Sequence, residues 1–483
     1  MNWNLYAKNL LKSSLKEHQF TTSELAEKLN LNGSSETKAS IDNKISRGTF
    51  SASFLYQCLY CLNSQDYDSN ILLKSADFLT LPKNIGSQYF AKNKNVGFIR
   101  PNNIQVGSLK ENKVISLFTG TGGFDVGLEK AGFDTAACIE IDMHCRETLR
   151  HNRPEWNLLE KNDGREAGDI RQITGTEILR TAGLKKGEAA LVVGGAPCQP
   201  FSNIGLKKGE NDPRNGDLFL EFVRVVNDTE PKAFIFENVT GITQAKHAAV
   251  IDYMENKFLE IGYKISYSII NAADYGVPQK RQRFIILGMK GSSVPLFPMP
   301  THAKSLKTWS LFVDSLNQFP DYIPHDWKTV SEAFSELPTD YKKRPDYKKM
   351  NVSDIIKNRM KLIGPGENFK VLPMNMRPNC WKSGKHAGQD TFGRLKGNEP
   401  SVTIRTAAYN PTKGKYIHPT ENRGLDLIEM SALQSFPFTW EFKCANDKLM
   451  TLKSGGAQIG NAVPPLLAQL LGDALYVQLS SLE

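Results

Sequence analysis

One cysteine stands out by its setting. Gly194-Gly195-Ala196-Pro197-Cys198-Gln199-Pro200-Phe201-Ser202 follows directly on the apolar run Ala189 to Val193. A buried strand that ends in a Pro-flanked thiol places a soft nucleophile at the carboxyl edge of a sheet, where open α/β folds keep their chemistry. A second run ends in Glu237-Asn238-Val239, which brings a carboxyl to the same edge. A thiol beside a carboxyl, without an evident histidine, differs from the Cys-His pair of proteases. It suits addition to a conjugated heterocycle that needs a proton or hydrogen bond on its far side. Gln279-Lys280-Arg281-Gln282-Arg283 precedes a further apolar run. In an extended segment Arg281 and Arg283 share a face, where they would bind phosphate and fix the carboxyl or form a solvated basic edge.

A different chemistry sits earlier in the chain. Val114 to Phe118 runs into Thr119-Gly120-Thr121-Gly122-Gly123-Phe124, and Glu140 follows twenty residues after Gly120. Glycines admit a ligand close to the backbone at a helix start, and a carboxylate at the next strand tip accepts ribose hydroxyls. The pair suggests an adenosine-containing cofactor. Asp125 stands where a third glycine of the dinucleotide fingerprint would fall, which disfavours NAD. Asp169-Ile170 offers a carboxylate and an apolar wall for an adenine.

The elements that carry these residues follow from the apolar pattern. Val114–Phe118, Ala136–Glu140, Ala189–Val193, Ala233–Phe236 and Phe284–Leu287 read as buried parallel strands. Leu218–Val226 and Ile251–Ile261 read as crossover helices, giving a doubly wound, Rossmann-like α/β sheet. Residues 1–75 read as a helical unit. A capping box at Thr21-Thr22-Ser23-Glu24 precedes Leu25 and Leu29, and Ile41 and Ile45 lie a turn apart on Lys38 to Ser46. A helix-turn-helix and a plain helical bundle both fit. Residues 76–112 read as a linker, 113–289 as the catalytic and cofactor-binding domain, 290–400 as an inserted recognition domain, and 401–483 as a segment returning to the catalytic domain.

Composition bounds the partners. The 483 residues carry a net charge of +9, and 40% are hydrophobic and 23% charged. Residues 290–400 hold 18 Lys and Arg against 11 Asp and Glu, the footprint of a polyanion or of a solvated surface. No run approaches the roughly 18 apolar residues of a membrane span. Met1-Asn2-Trp3-Asn4-Leu5 lacks the start of a secretory signal, and seven scattered cysteines fit a reducing cytoplasm. Cys58 and Cys61, without a second pair, read as core thiols, so no metal is expected.

Taken in order, these motifs resemble the cytosine-5 DNA methyltransferases that use S-adenosylmethionine and release S-adenosylhomocysteine. The resemblance runs from about Lys113 to Tyr476. It rests on Phe118 to Gly123, Glu140-Ile141-Asp142, Gly168-Asp169-Ile170, Pro197-Cys198-Gln199, Asp212-Pro213-Arg214, Glu237-Asn238-Val239, Gln279 to Arg283 and Gln458-Ile459-Gly460-Asn461-Ala462-Val463-Pro464-Pro465. The resemblance implies four catalytic groups: Cys198 as the nucleophile, Glu237 meeting cytosine N3 and its amino group, Arg283 orienting Glu237 and the base, and Arg281 supporting the loop and backbone contacts. It implies a cofactor pocket of Phe118, Gly120, Gly122, Glu140, Ile141, Asp169, Ile170, Pro197, Leu218, Asn461 and Val463. Ser202, Lys207, Gln279, Arg377 and Arg394 are the candidate DNA contacts. The family's glycine-phenylalanine before Pro-Cys-Gln is here Gly195-Ala196.

The expected reaction flips a cytosine out of double-stranded DNA, adds Cys198 at C6, methylates C5 and expels the thiol. The expected partner is a specific DNA duplex bound by a monomer at the bacterial nucleoid, with a role in restriction-modification. One branch of the family acts on tRNA; the 290–400 insertion favours DNA. A regulator acting through the N-terminal unit is the other reading, against which stand the intact Cys198, Glu237 and Arg283.

Overall fold

The computed structural model describes residues 97–99, 109–161, 167–196, 218–243, 248–305, 323–382, 390–446 and 448–482, and parts of 8–62. The chain divides into two compact units, Met1–Ser87 and Gln88–Glu483.

In the larger unit six strands form one sheet: β1 (Lys113–Leu117), β2 (Asp134–Ile139), β3 (Leu191–Gly194), β4 (Ala233–Val239), β5 (Tyr263–Asn271) and β6 (Gln282–Lys290). Their spatial order is β2-β1-β3-β4-β6-β5. The first four are parallel, as their continuous apolar runs require. Two expectations need correction. The strand around Phe284–Leu287 is antiparallel to both neighbours, and Tyr263–Asn271 is a strand the apolar runs did not reveal. It alternates Tyr263, Ile265 and Tyr267 with Lys264, Ser266 and Ser268, yet Ser266 and Ser268 are buried.

Chain order reverses between β1 and β3, so the carboxyl ends of β1, β2 and β3 open a crevice at the switch point. Both faces of the sheet are covered. One apolar layer holds Ile115, Val192, Phe234 and Ile286 against Phe219, Phe222 and Phe258, from the helices Leu218–Thr229 and Ala248–Glu260. The other holds Val114, Val193, Ile235 and Ile285 against the helices α1 (Gly123–Lys130) and α2 (Pro465–Ser480). These two helices pack almost backbone to backbone. A Cβ on Gly127 would lie 2.2 Å from Pro465 O, so only glycine lets α2 seat there. The end of the chain is thereby carried back to the start of the sheet.

The linker boundary also shifts. Phe98–Ile99 pair with Phe297–Pro298, and the Leu109 N–H donates to Tyr476 Oη at 3.2 Å. Phe98, Leu109, Phe297 and Met299 all belong to the sheet's core, so residues on both sides of the expected boundaries at 112 and 290 are part of the catalytic body. A smaller lobe has its own core of Met360, Ile363, Phe369, Leu372, Trp381, Phe392 and Ile417. A chain beginning at Gln88 should therefore keep the stability of the catalytic body. One beginning at Asn112 loses Phe98 and Leu109, each worth about 1.5–3 kcal/mol of burial. Urea denaturation of the two truncations checks this: equal midpoints would contradict it.

In the N-terminal unit, the helices Thr22–Leu31 and Lys38–Arg47 bury Leu25, Leu29, Ile41 and Ile45 with Leu11, Leu15, Phe54, Cys58 and Leu62. The capping box forms: the Thr21 N–H donates to Glu24 Oε2 at 2.7 Å and the Glu24 N–H to Thr21 Oγ1 at 3.2 Å. Cys58 is a core thiol, as expected, and Cys61 lies outside the described residues.

Candidate functional site

The glycine-rich turn is shaped by left-handed backbone at alternate positions: φ is 51° at Phe118, 58° at Gly120 and 83° at Gly122. Gly120 and Gly122 take this conformation without penalty. Phe118, which carries a side chain, stores roughly 1 kcal/mol or more there, strain of the kind that gathers at ligand sites. Glu140, at the end of β2, closes the turn. Its carboxylate accepts from Gly120 N at 2.6 Å and Asp142 N at 2.7 Å, and burial raises its pKa above the ordinary value. Gly168 backs it, since a Cβ there would fall 1.9 Å from Glu140 O.

Phe118, Ile170 and Leu218 pack in one apolar cluster, and Ile141 beyond Glu140 is 45% exposed, an apolar face turned outward. Asp169 is buried and held by Arg171 through Nε at 2.9 Å and Nη2 at 2.6 Å, which keeps its carboxyl below the usual range. The segment Asn461–Val463 arrives from the far end of the chain: a Cβ on Gly123 would lie 2.2 Å from Val463 O. Gln458 fastens it, accepting from Thr148 Oγ1 at 2.6 Å and Thr121 Oγ1 at 3.3 Å.

Asp125 lies behind the turn, fully buried, accepting from Ser116 Oγ and Thr135 Oγ1, each at 3.1 Å. Burial pushes its carboxyl up to about 6. The folded chain then keeps a proton that the unfolded chain releases near pH 4. Stability is fully present below that pH and is lost as pH rises through about 6, by roughly 3 kcal/mol for a shift of this size. Asp125→Asn removes this loss. It should stabilise the protein at about pH 8 and not at about pH 4, as read by urea midpoints at the two pH values.

At the next strand ends, Glu237 Oε1 pairs with Arg283 Nε at 2.7 Å. Burial raises the Glu237 pKa, opposed by the charges of Arg283 and Arg281. Gly195 lies against this pair: a Cβ on it would lie 2.7 Å from Glu237 Oε2 and would displace that carboxylate. Asn238 Nδ2 donates to Ala196 O at 3.3 Å, tying the end of β4 to the turn that leaves β3. Ala196 is buried in the core, so the Gly195-Ala196 variant keeps this turn packed. Pro197, Cys198, Ser202 and Lys207 lie outside the described residues.

Three expected roles change. Arg281, expected among the catalytic groups, is buried and donates from Nη1 to Ile404 O and from Nη2 to Gly460 O and Ala462 O, each at 3.0 Å. Burial, aided by Arg283, pushes it down to about 9. It supports backbone rather than touching a reacting atom. Gln279, expected to meet DNA, is buried, with its amide on Leu433 O, Gln434 and Ile404 N. Arg394, also expected to meet DNA, is buried under five bonds to Met360 O, Ile363 O, His418 O, Glu421 O and Asn422 Oδ1. Its guanidinium has no donor left for a base. Arg377 is half-buried and donates to Leu372 O and to Lys370 O. Gln434, which no motif spacing singled out, joins the site through Gln279. Among the described residues no group of three His, Cys, Asp or Glu could hold a metal ion, and no helix is long and apolar enough to cross a membrane.

Comparison with known proteins bears on this geometry. Residues 112–476 match the family model of the C-5 cytosine-specific DNA methylase. The chain belongs to that family. It is a DNA cytosine-5 methyltransferase. Type II methyltransferase M.XorII of Xanthomonas oryzae is 32% identical over 386 residues, covering 74% of this chain and 83% of the relative. Type II methyltransferase M.AquIA of Picosynechococcus is 41% identical over 264 residues, covering 53% of this chain and 99% of the relative. A putative DNA modification methyltransferase of an E. coli prophage shares the fold, with a TM-score of 0.52 at 23% identity over 75% of this chain and 98% of that one. Residues 3–67 match a separate model, a domain of unknown function designated DUF6471.

Proposed function

We propose that this methyltransferase takes its methyl group from S-adenosylmethionine and delivers it to a cytosine turned out of a specific DNA duplex, with Cys198 as nucleophile. The observation that carries the reading is the Glu237–Arg283 pair, held against Gly195–Ala196 two residues before Cys198. The residues present fit the cofactor: an exposed apolar Ile141 follows the Glu140 carboxylate, and at Gly120 of the turn a Cβ would meet nothing nearer than Phe118 O at 3.9 Å. Glu140 would hold the ribose, with Phe118, Ile141 and Ile170 against the adenine and Asp169 at its amino group. Asn461 and Val463 would close the pocket. S-adenosylmethionine, when bound, supplies an electrophilic methyl group.

The chain's own residues prepare cytosine C5 to accept it. Cys198 as thiolate adds to C6 and breaks the ring's conjugation, so that C5 gains enamine character. Glu237, its carboxyl kept protonated to higher pH than usual by burial, donates to N3 where negative charge develops. Arg283 holds Glu237 Oε1 and fixes the direction of that donation. After methyl transfer water takes the C5 proton, the C5–H electron pair restores the C5–C6 double bond, the C6–S pair returns to sulfur as thiolate, and N3 gives its proton back to Glu237. Ser202 and Lys207 would line a loop over the DNA, and the lobe built on Trp381 and Phe392 would read the target. Because relatives are named Type II methyltransferases, we assign this chain to the modification arm of a restriction-modification system acting on bacterial cytoplasmic DNA.

Bisulfite sequencing of DNA and tRNA from cells expressing the protein tests the reading. Protected cytosines at one recurring DNA sequence are expected. Protection confined to tRNA would overturn it.

A further inference from the structure

The N-terminal unit matches a family model to which no function is attached, and the chemistry proposed above uses none of its residues. Its helices Thr22–Leu31 and Lys38–Arg47 are set firmly together. Leu25, Ala26 and Leu29 of the first share one core with Ile41 and Ile45 of the second. Between them Asn30 and Glu36 clasp each other: Asn30 Nδ2 donates to Glu36 O at 2.8 Å, and the Glu36 N–H donates to Asn30 Oδ1 at 2.7 Å. The Glu36 carboxylate then accepts from Ser40 Oγ at 2.7 Å and from Lys44. These bonds fix the direction in which the second helix leaves the turn. At its far end Lys8 Nζ donates to Ser46 O at 2.7 Å.

The face that the second helix leaves outside is short-chained and polar. Ala39, Asp42, Asn43 and Ser46 are all exposed, at i, i+3, i+4 and i+7. Asn43 stands mid-face. Ala39 lies one turn before it and Ser46 one turn after, so no long side chain on the helix keeps a flat partner from its carboxamide. Lys38 and Arg47 mark the two ends of the face, both exposed and both without a hydrogen bond or ion pair among the described residues. The helix carries three cations against one carboxylate, Asp42. A plain helical bundle accounts for Ile41 and Ile45 but asks nothing of the opposite face. The helix dipole accounts for Arg47 in the last turn, yet it disfavours Lys38 in the first, where no acidic residue stands. A free carboxamide between free cations matches the major groove, which admits a helix, displays base edges on its floor and carries phosphates along its walls.

We propose that the helix Lys38–Arg47 is a second DNA-binding site of this chain. It enters the major groove of a duplex sequence of its own, with Asn43 on an adenine and Lys38 and Arg47 on the flanking phosphates. An asparagine carboxamide pairs with adenine N6 and N7, and a carboxylate such as Asp42 beside it accepts from cytosine N4. No group assigned to methyl transfer lies in this unit, so the failure of either reading leaves the other standing.

The test is selection from a pool of random-sequence DNA duplexes by the full chain, run beside a full chain carrying both Asn43→Ala and Arg47→Ala. The wild-type protein should enrich a sequence that the double variant does not, and that sequence should hold an invariant adenine. On this duplex, followed by fluorescence anisotropy, Asn43→Ala should weaken binding about tenfold and relax the preference at that adenine. Lys38→Ala should weaken binding to all single-base variants of the duplex alike and lower the slope of log affinity against log salt by about 1. The substituted side chains are exposed, so the variants should melt with the wild-type protein, and a loss of binding is then a loss of contact. Identical sequences enriched by the wild-type protein and the double variant would overturn the inference. So would anisotropy titrations left unchanged by Asn43→Ala and Lys38→Ala. A wild-type dimer that the double variant breaks, with DNA selection unaltered, would give this face to a second copy of the chain and overturn it as well.

Discussion

Cys198→Ala should lower methyl transfer to DNA by more than about a thousandfold, equivalent to about 4 kcal/mol of lost transition-state stabilisation. Without the thiolate, cytosine C5 stays within a conjugated ring and has little nucleophilicity. The proposed cofactor pocket draws on Glu140 and Asn461 rather than on the thiol, so the variant should bind S-adenosylhomocysteine as the wild-type protein does. The paired measurement is tritium transfer to DNA and calorimetric binding of the product. Transfer near the wild-type rate would remove Cys198 from the mechanism.

Glu237→Ala should cost about 10²- to 10⁴-fold in kcat/KM, the range for loss of a positioned acid. Two effects add. The donor to N3 is gone, and the Arg283 guanidinium, only 13% exposed, loses its carboxylate. The pH profile separates chemistry from mere disruption. Burial raises the Glu237 pKa above its ordinary value, and in the proposed mechanism its protonated form donates to N3, so wild-type kcat/KM should fall as pH rises through that pKa. In Glu237→Ala that limb should vanish. A variant that keeps the same alkaline limb would assign it to another group.

Much of the site was legible because its residues sit where buried runs end. Val114–Phe118 and Ala136–Glu140 are continuous apolar stretches, and the residues after them must face the crevice. That reasoning brought Gly120 and Glu140 to one crevice and Glu237 to the neighbouring edge, and the structure has Gly120 N on Glu140 and Glu237 on Arg283. It misled where side-chain type was taken for exposure. Arg394 looked like a base reader, yet its partners Met360, Ile363 and His418 lie 24 to 34 residues away, and burial set by such contacts leaves no local mark. Gln279 failed for the same reason, being bonded to Leu433 some 154 residues on. Tyr263–Asn271 escaped as a strand because Ser266 interrupts its apolar pattern while burying its hydroxyl on Pro295 O at 2.6 Å. The apolar pair Phe98-Ile99 and the lone Leu109 stand in a largely polar stretch, too short for periodicity to weigh.

The most direct test of the account is a covalent trap. DNA carrying 5-fluorocytosine at the target site cannot release fluorine from C5 as it releases a proton, so the adduct should persist once methyl transfer has occurred. Incubated with the protein and S-adenosylmethionine, such DNA should give a denaturant-stable complex whose peptide map places the nucleotide on Cys198. An active enzyme that forms no such complex, or one attached at another residue, would contradict the account.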